Sequence, residues 1–216
     1  MVCGPLLECF DGLRSCCMQC CFPQAWLGER SYWDAAYASG KYKEKYEWLH
    51  SVDAIWPYLQ EVLGSRKDCK ILHVGCGNSQ LSRELHDKGW TDLTNVDYSA
   101  VVIEMMQRKE PDLHWVKADC TQPGALGVNQ YDLCVDKGAL DSLFEAGSDY
   151  MRKRGKAMIA EVHRALRPSG CYFLVSNAAL SAAALREQFA SVEEQCIEGM
   201  SCDLYYKLIY VIVCRK

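Results

Sequence analysis

Residues 71–82 read ILHVGCGNSQLS, an apolar run that meets Gly75, Cys76 and Gly77. A Gly-x-Gly turn after a strand lets the backbone approach a ligand closely. The third glycine of a dinucleotide loop would fall at Gln80, and no phosphate-binding lysine follows, so the loop suits a pyrophosphate poorly. A nucleoside without phosphates fits better. Asp97 closes the next apolar run, where a carboxylate can accept hydrogen bonds from both hydroxyls of a ribose. Asp119 comes one run later, placed to meet an adenine amino group while the following amide addresses a ring nitrogen. Asp136 ends the run after that. One Asp after a strand is usually a turn former; three on one rim describe a site.

The chain order supplies that rim. Strands are expected at 70–74, 93–96, 113–116, 131–135 and 171–175. Helices alternate with them at 80–87, 101–108 and 150–166, the last stopped by Pro168 and Gly170. Upstream, 31–37 reads as a short helix with Ser31 as its cap, and 52–63 as a helix ended by Gly64 and Ser65. Downstream come a helix near 180–189 and two strands, 192–197 and 204–213, with no helix between them. This order predicts an α/β, Rossmann-like fold: a seven-stranded, mainly parallel sheet with helices on both faces and a C-terminal antiparallel hairpin. Ligands in such sheets bind beyond the carboxyl ends of the strands, where Gly75, Asp97, Asp119 and Asp136 all fall.

Composition narrows the class. The 216 residues suffice for one sizeable domain. A net charge of −4 gives no electrostatic case for direct nucleic-acid binding. No apolar run approaches the roughly 20 residues of a membrane span, and the start has neither the basic residues nor the clean apolar stretch of a secretory signal. Cysteine stands out: there are 14, and Cys3, Cys9, Cys16, Cys17, Cys20 and Cys21 crowd the beginning. The others sit mostly in apolar segments and read as small buried hydrophobes. Reduced thiols in a cytoplasmic protein are expected.

VGCGNSQLS, NVDYSAVVIEMM and VDKGALDSLF, in that order, resemble the class I S-adenosylmethionine methyltransferases. More narrowly they are similar to the methyltransferase-like branch that includes elongation factor 1-alpha lysine methyltransferases. Tyr32-Trp33-Asp34-Ala35-Ala36-Tyr37 and Tyr46-Glu47-Trp48 match that branch's N-terminal aromatic pattern. The resemblance runs over about residues 31–214. It implies S-adenosylmethionine as cofactor, with S-adenosylhomocysteine as product. Gly75 and Gly77 would flank the methionine part, Asp97 the ribose, Tyr98 the adenine face, and Asp119 with the Cys120 backbone the adenine edge. Lys137 would lie near the cofactor's carboxylate end, as would Trp33, Tyr37 and Trp48 from a lid at about 31–50. Aromatic walls also suit a sulfonium cation. The family's D-K-G-T-L-D reads Asp136-Lys137-Gly138-Ala139-Leu140-Asp141 here, so the threonine hydroxyl is absent.

The resemblance implies a protein-lysine N-methyltransferase acting on a protein side chain, with a translation elongation factor as one such protein. Asp136 and Asp141 are the candidate catalytic carboxylates. A small-molecule methyltransferase is the alternative within the class. A non-catalytic module that binds S-adenosylmethionine is the alternative outside it. A nicotinamide dehydrogenase is disfavoured by the missing third glycine. One domain is expected, the methyltransferase domain at 29–216, preceded by a cysteine-rich, poorly ordered leader at 1–28. In the leader, CCMQCC permits acylation of Cys16, Cys17, Cys20 and Cys21 with membrane attachment, zinc binding through Cys17 and Cys20, or no modification. The site itself is expected to hold no metal.

Overall fold

The computed structural model describes residues 25–42, 46–177, 182–197 and 209–216. Five parallel strands form most of the sheet: β1 (Ile71–Val74), β2 (Leu93–Asp97), β3 (His114–Lys117), β4 (Tyr131–Lys137) and β5 (Leu166–Ser176). β6 (Ser191–Ile197) and β7 (Ile209–Arg215) complete it, in the order β3-β2-β1-β4-β5-β7-β6. β7 runs antiparallel to both its neighbours, as the uninterrupted pair of C-terminal strands requires. Residues 204–208 of the expected last strand lie outside the described residues. Strand order reverses between β1 and β4, and a crevice opens there at the carboxyl ends.

β1 and β2 are buried along their whole length because helices cover both faces. One core packs α1 (Arg30–Ala38), α2 (Val52–Leu63), α3 (Leu81–Asp87) and α4 (Ala100–Lys109) on the sheet through Tyr37, Ile55, Leu59, Leu81 and Met106. The other core packs α5 (Ala139–Glu145), α6 (Asp149–Ala165) and α7 (Ala182–Arg186) through Leu140, Phe144, Ile159, Val162 and Leu185. Serine hydroxyls start three of these helices: Ser51, Ser99 and Ser148 accept the amides of Ala54, Val102 and Met151.

Three expectations change. Ser31 lies inside α1, whose N-cap is Glu29 without a side-chain cap bond. α5 was not anticipated, because its seven residues are too few to show a period. The strand expected from Cys171 begins at Leu166, so Pro168 and Gly170, before which the long helix ends as expected, fall within its range. α6 passes directly into β5, and those residues occupy the stretch between Leu166 and Cys171 where the pairing with β4 shifts register. Residues 1–24 of the leader, Cys16, Cys17, Cys20 and Cys21 among them, lie outside the described residues. Ala25–Gly28 form a 3₁₀ turn whose Leu27 is buried, so this end of the expected leader packs on the domain. Among the described residues no helix is long and apolar enough to cross a membrane.

Candidate active site

A cavity of about 790 Å³ lies beyond the carboxyl ends of β1, β2 and β4. Gly75 and Gly77 line it in left-handed backbone, with φ of 57° and 51°. A Cβ on Gly75 would stand 2.2 Å from that of Ala139; one on Gly77 would stand 2.8 Å from the Tyr37 hydroxyl. Glycine is thus required twice, for the backbone angle and for the space.

Asp97 closes this loop. Its Oδ2 accepts the Gly77 amide at 3.1 Å and its Oδ1 the Ser99 amide at 2.9 Å. Burial pushes its pKa up to about 6 against the opposing pull of those amides. A carboxylate held in that balance gains from further donors, and a ribose diol supplies two. Tyr98, Asp119 and Cys120 line the same cavity. Asp119 Oδ1 accepts from the Thr121 amide at 2.9 Å and hydroxyl at 2.7 Å, and its Oδ2 from Arg154 at 3.2 Å.

The N-terminal aromatics form one side. Trp33 donates its indole N–H to the Leu27 carbonyl at 2.7 Å. Its ring stacks with Tyr37 at 6.0 Å and meets Trp48 edge-on at 5.6 Å. Asp34 accepts the Ser99 hydroxyl at 2.6 Å, which fastens α1 to the start of α4. Lys137 does not point a free cation at the cavity. Its side chain is 2% exposed, and Nζ lies 2.7 Å from Glu47 Oε2 and donates to the Trp48 carbonyl at 2.7 Å. Glu47 also accepts the Gln80 amide at 2.6 Å and the Ser79 hydroxyl at 3.0 Å. This carboxylate therefore joins the lid to the glycine loop and to β4. It was visible in the sequence only as the middle of Tyr46-Glu47-Trp48.

The two candidate catalytic acids part company. Asp136 is wholly buried and is not among the residues lining the cavity. It accepts the Ala139 and Leu140 amides at 2.8 and 3.1 Å and the Tyr172 hydroxyl at 2.8 Å, so it holds the start of α5. Asp141 lines the cavity. The Ser176 hydroxyl donates to it at 2.5 Å and the Asn177 amide at 2.8 Å. Burial pushes its pKa up to about 7. Arg154 and His73 line the cavity too and had no sequence signal. His73 bonds Ser82 at 2.9 Å, and burial, with Lys137 nearby, pushes it down to about 3, so its imidazole is neutral.

A glycine loop without a phosphate clamp and two carboxylates, Asp97 and Asp119, share one cavity at the switch point of a doubly wound sheet, the arrangement of a nucleoside-binding enzyme domain. The comparisons with known proteins agree. Residues 72–174 match the family described as methyltransferase domain. The human eEF1A lysine and N-terminal methyltransferase is 32% identical over 70% of this chain and 22% of its own length. Methyltransferase srdJ of Neurospora crassa is 30% identical over 73% of this chain and 69% of its own. The N-methyltransferase NodS of Bradyrhizobium japonicum WM9, solved with S-adenosyl-L-homocysteine, shares the fold. Its TM-score is 0.61 at 19% identity, covering 76% of this chain and 86% of that one. The chain belongs to the S-adenosylmethionine-dependent methyltransferases. It spans less than a third of the length of several curated relatives it matches.

The described residues fit the cofactor of this family. Gly75 and Gly77 leave room for its backbone-like end, Asp97 offers acceptors to a diol, and Asp119 keeps lone pairs for an exocyclic amine.

Proposed function

We propose that the chain methylates a lysine side chain of a protein, as the names of its eEF1A-directed relatives indicate for them, and that a translation elongation factor is the first substrate to try. The observation that carries this reading is the sharing of one cavity by Gly75, Gly77 and Asp97 with the buried carboxylate of Asp141. When bound, S-adenosylmethionine supplies an electrophilic methyl group on a sulfonium sulfur. The chain's own work is alignment and proton removal. A lysine amine has a solution pKa of about 10.4, and the walls around Trp48 and Leu49 lower it by excluding water. Asp141, fixed by Ser176 and the Asn177 amide, accepts an N–H of the amine. It orients the nitrogen lone pair and takes the departing proton. Its pKa near 7 suits that exchange at neutral pH. Asp136 supports this arrangement through α5 without touching the cavity. We also place the protein in a reducing, cytoplasmic setting: all seven described cysteines are free, and six are buried.

Calorimetric titration of the purified chain with S-adenosylmethionine, and separately with NAD, tests the cofactor. Tritiated S-adenosylmethionine with purified elongation factor 1-alpha tests the acceptor, read by mass spectrometry of its lysines. Micromolar binding and a methylated lysine support the proposal. Binding without transfer to protein, but with transfer to small molecules of an extract, favours the small-molecule reading. Binding with no transfer at all identifies a non-catalytic module.

A further inference from the structure

Arg154 was chosen by no motif, yet it reaches three segments. Its Nη1 donates to the Gly28 carbonyl at 2.9 Å, its Nε to the Thr121 hydroxyl at 3.5 Å and its Nη2 to Asp119 Oδ2 at 3.2 Å. The side chain is 16% exposed and Asp119 is 31% exposed. A solvated surface ion pair would be worth little, but this one sits in the cavity wall and is part of a larger arrangement. Arg154, Met158 and Glu161 follow one another along one stripe of α6, at spacings that share a helix face. Glu161, itself 4% exposed, accepts the Gly124 amide at 3.1 Å and the Leu126 amide at 2.8 Å. The loop after β3 is therefore gripped by α6 at both ends: by Glu161 at 124–126 and by Arg154 at 119–121.

That grip fixes the orientation of one carboxylate. Asp119 Oδ1 is taken up by the amide and hydroxyl of Thr121, and Oδ2 by Arg154. With both oxygens anchored, the carboxylate plane cannot rotate, and the lone pair that remains on Oδ2 has a set direction. An exocyclic amine presented there meets a preoriented acceptor. A carboxylate free to turn would first lose that freedom on binding.

We infer that Arg154 is the positioning residue that makes Asp119 selective for the 6-amino group of the cofactor's purine. This rests on the methyltransferase reading of the cavity but not on the acceptor. In this arrangement Arg154 acts through Asp119, whose Oδ2 it holds. The same guanidinium holds Gly28, so its loss also loosens the N-terminal turn. That second effect falls equally on any ligand of the cavity and cancels in a ratio of affinities.

The test is such a ratio. Affinities of the full chain are measured by calorimetry for S-adenosylhomocysteine and for its 6-deamino analogue, in which purine replaces adenine. The wild type should prefer the adenine form about tenfold, the lower end of what a hydrogen bond to a charged group is worth. In Arg154→Met the preference should fall to within about twofold, with most of the loss on the adenine ligand. Asp119→Asn should reduce the preference as well, and the double variant should show no further reduction. Arg154→Lys, which keeps the charge but not the forked geometry, should fall between and serves if the methionine variant does not fold. A preference kept at about tenfold in the Arg154 variants, with both affinities lowered alike, would make Arg154 a structural tie only and overturn the inference. So would a wild type that binds both ligands equally. No binding of either ligand would instead refute the cofactor reading.

Discussion

Replacing Asp97 with Asn should separate cofactor binding from stability. In the free protein the carboxylate is buried, and its pKa is raised from 3.8 to about 6. That shift of roughly 2 units corresponds to a cost on the order of 3 kcal/mol for the ionised form. An acid with a raised folded pKa destabilises the fold as pH rises: the cost begins above about pH 4 and is complete above about pH 6. Asparagine removes this cost at neutral pH. It keeps one oxygen for either the Gly77 or the Ser99 amide but turns its own NH₂ toward the other, which returns about 1–2 kcal/mol. The free variant should therefore be as stable as the wild type at pH 7 or slightly more so. Binding should move the other way. Losing charge-assisted bonds to a ribose diol costs about 1.5–3 kcal/mol, roughly 10- to 150-fold in affinity. Calorimetry with S-adenosylmethionine and urea unfolding of the free protein measure the two effects on the same samples. Because the ionised acid is the binding form, wild-type affinity should also rise with pH up to about 6 and then level off, and the variant should lack that rise. Affinity within twofold of wild type, or a wild-type profile flat from pH 5 to 7.5, would refute the assignment of Asp97 to the ribose.

Gly75→Ala should be the more damaging of the two loop substitutions. Left-handed backbone costs about 1–2 kcal/mol at either position, but only at Gly75 does the new Cβ meet another Cβ, that of Ala139, at 2.2 Å. Urea midpoints of Gly75→Ala and Gly77→Ala should rank accordingly. Glu47→Gln should lower stability by about 3 kcal/mol, because it leaves the Lys137 cation buried without its counter-charge. Adding Lys137→Met should recover most of that loss in the same unfolding assay. Asp141→Asn should slow methyl transfer about 100-fold with little change in cofactor affinity. It should also abolish the limb of the pH–rate profile that rises through about pH 7, since only the ionised carboxylate takes the proton.

That the glycine loop and the acids at the strand ends share one rim was legible because the constraints on them are local. Gly75 and Gly77 sit in a strand-to-helix turn whose backbone angles Gly-x-Gly allows, and Asp97 and Asp119 each come at the end of a short strand, β2 buried throughout and β3 half exposed at the edge of the sheet. Arg154, Glu47 and His73 were not legible. Each matters through a partner on another element: Asp119 for Arg154, Lys137 for Glu47, and Ser82, itself bonded to Asn95, for His73. No periodicity announces such pairs. Ser31 misled because a serine before an amphipathic run is a common cap, whereas α1 begins one residue earlier and leaves that hydroxyl inside the helix.

The two acids of Asp136-Lys137-Gly138-Ala139-Leu140-Asp141 show where the limit lies. In sequence both are reasonable partners for an amine, with a helix cap as the other reading of Asp141. Successive residues of a strand point to opposite faces, so Asp136 and Lys137 diverge at the end of β4. Lys137 turns toward the face of α1 and α2 and takes Glu47 from the lid. Asp136 turns toward the face of α6 and meets Tyr172. Gly138, at φ 88°, then reverses the chain. The first turn of α5 carries Asp141 back over the strand ends, where it lines the cavity. Asp136 captures the Ala139 and Leu140 amides, so the acid that does not reach the cavity fixes the helix that places the one that does. Their different duties come from strand alternation and one left-handed glycine, and an unrecognised seven-residue helix was enough to hide them.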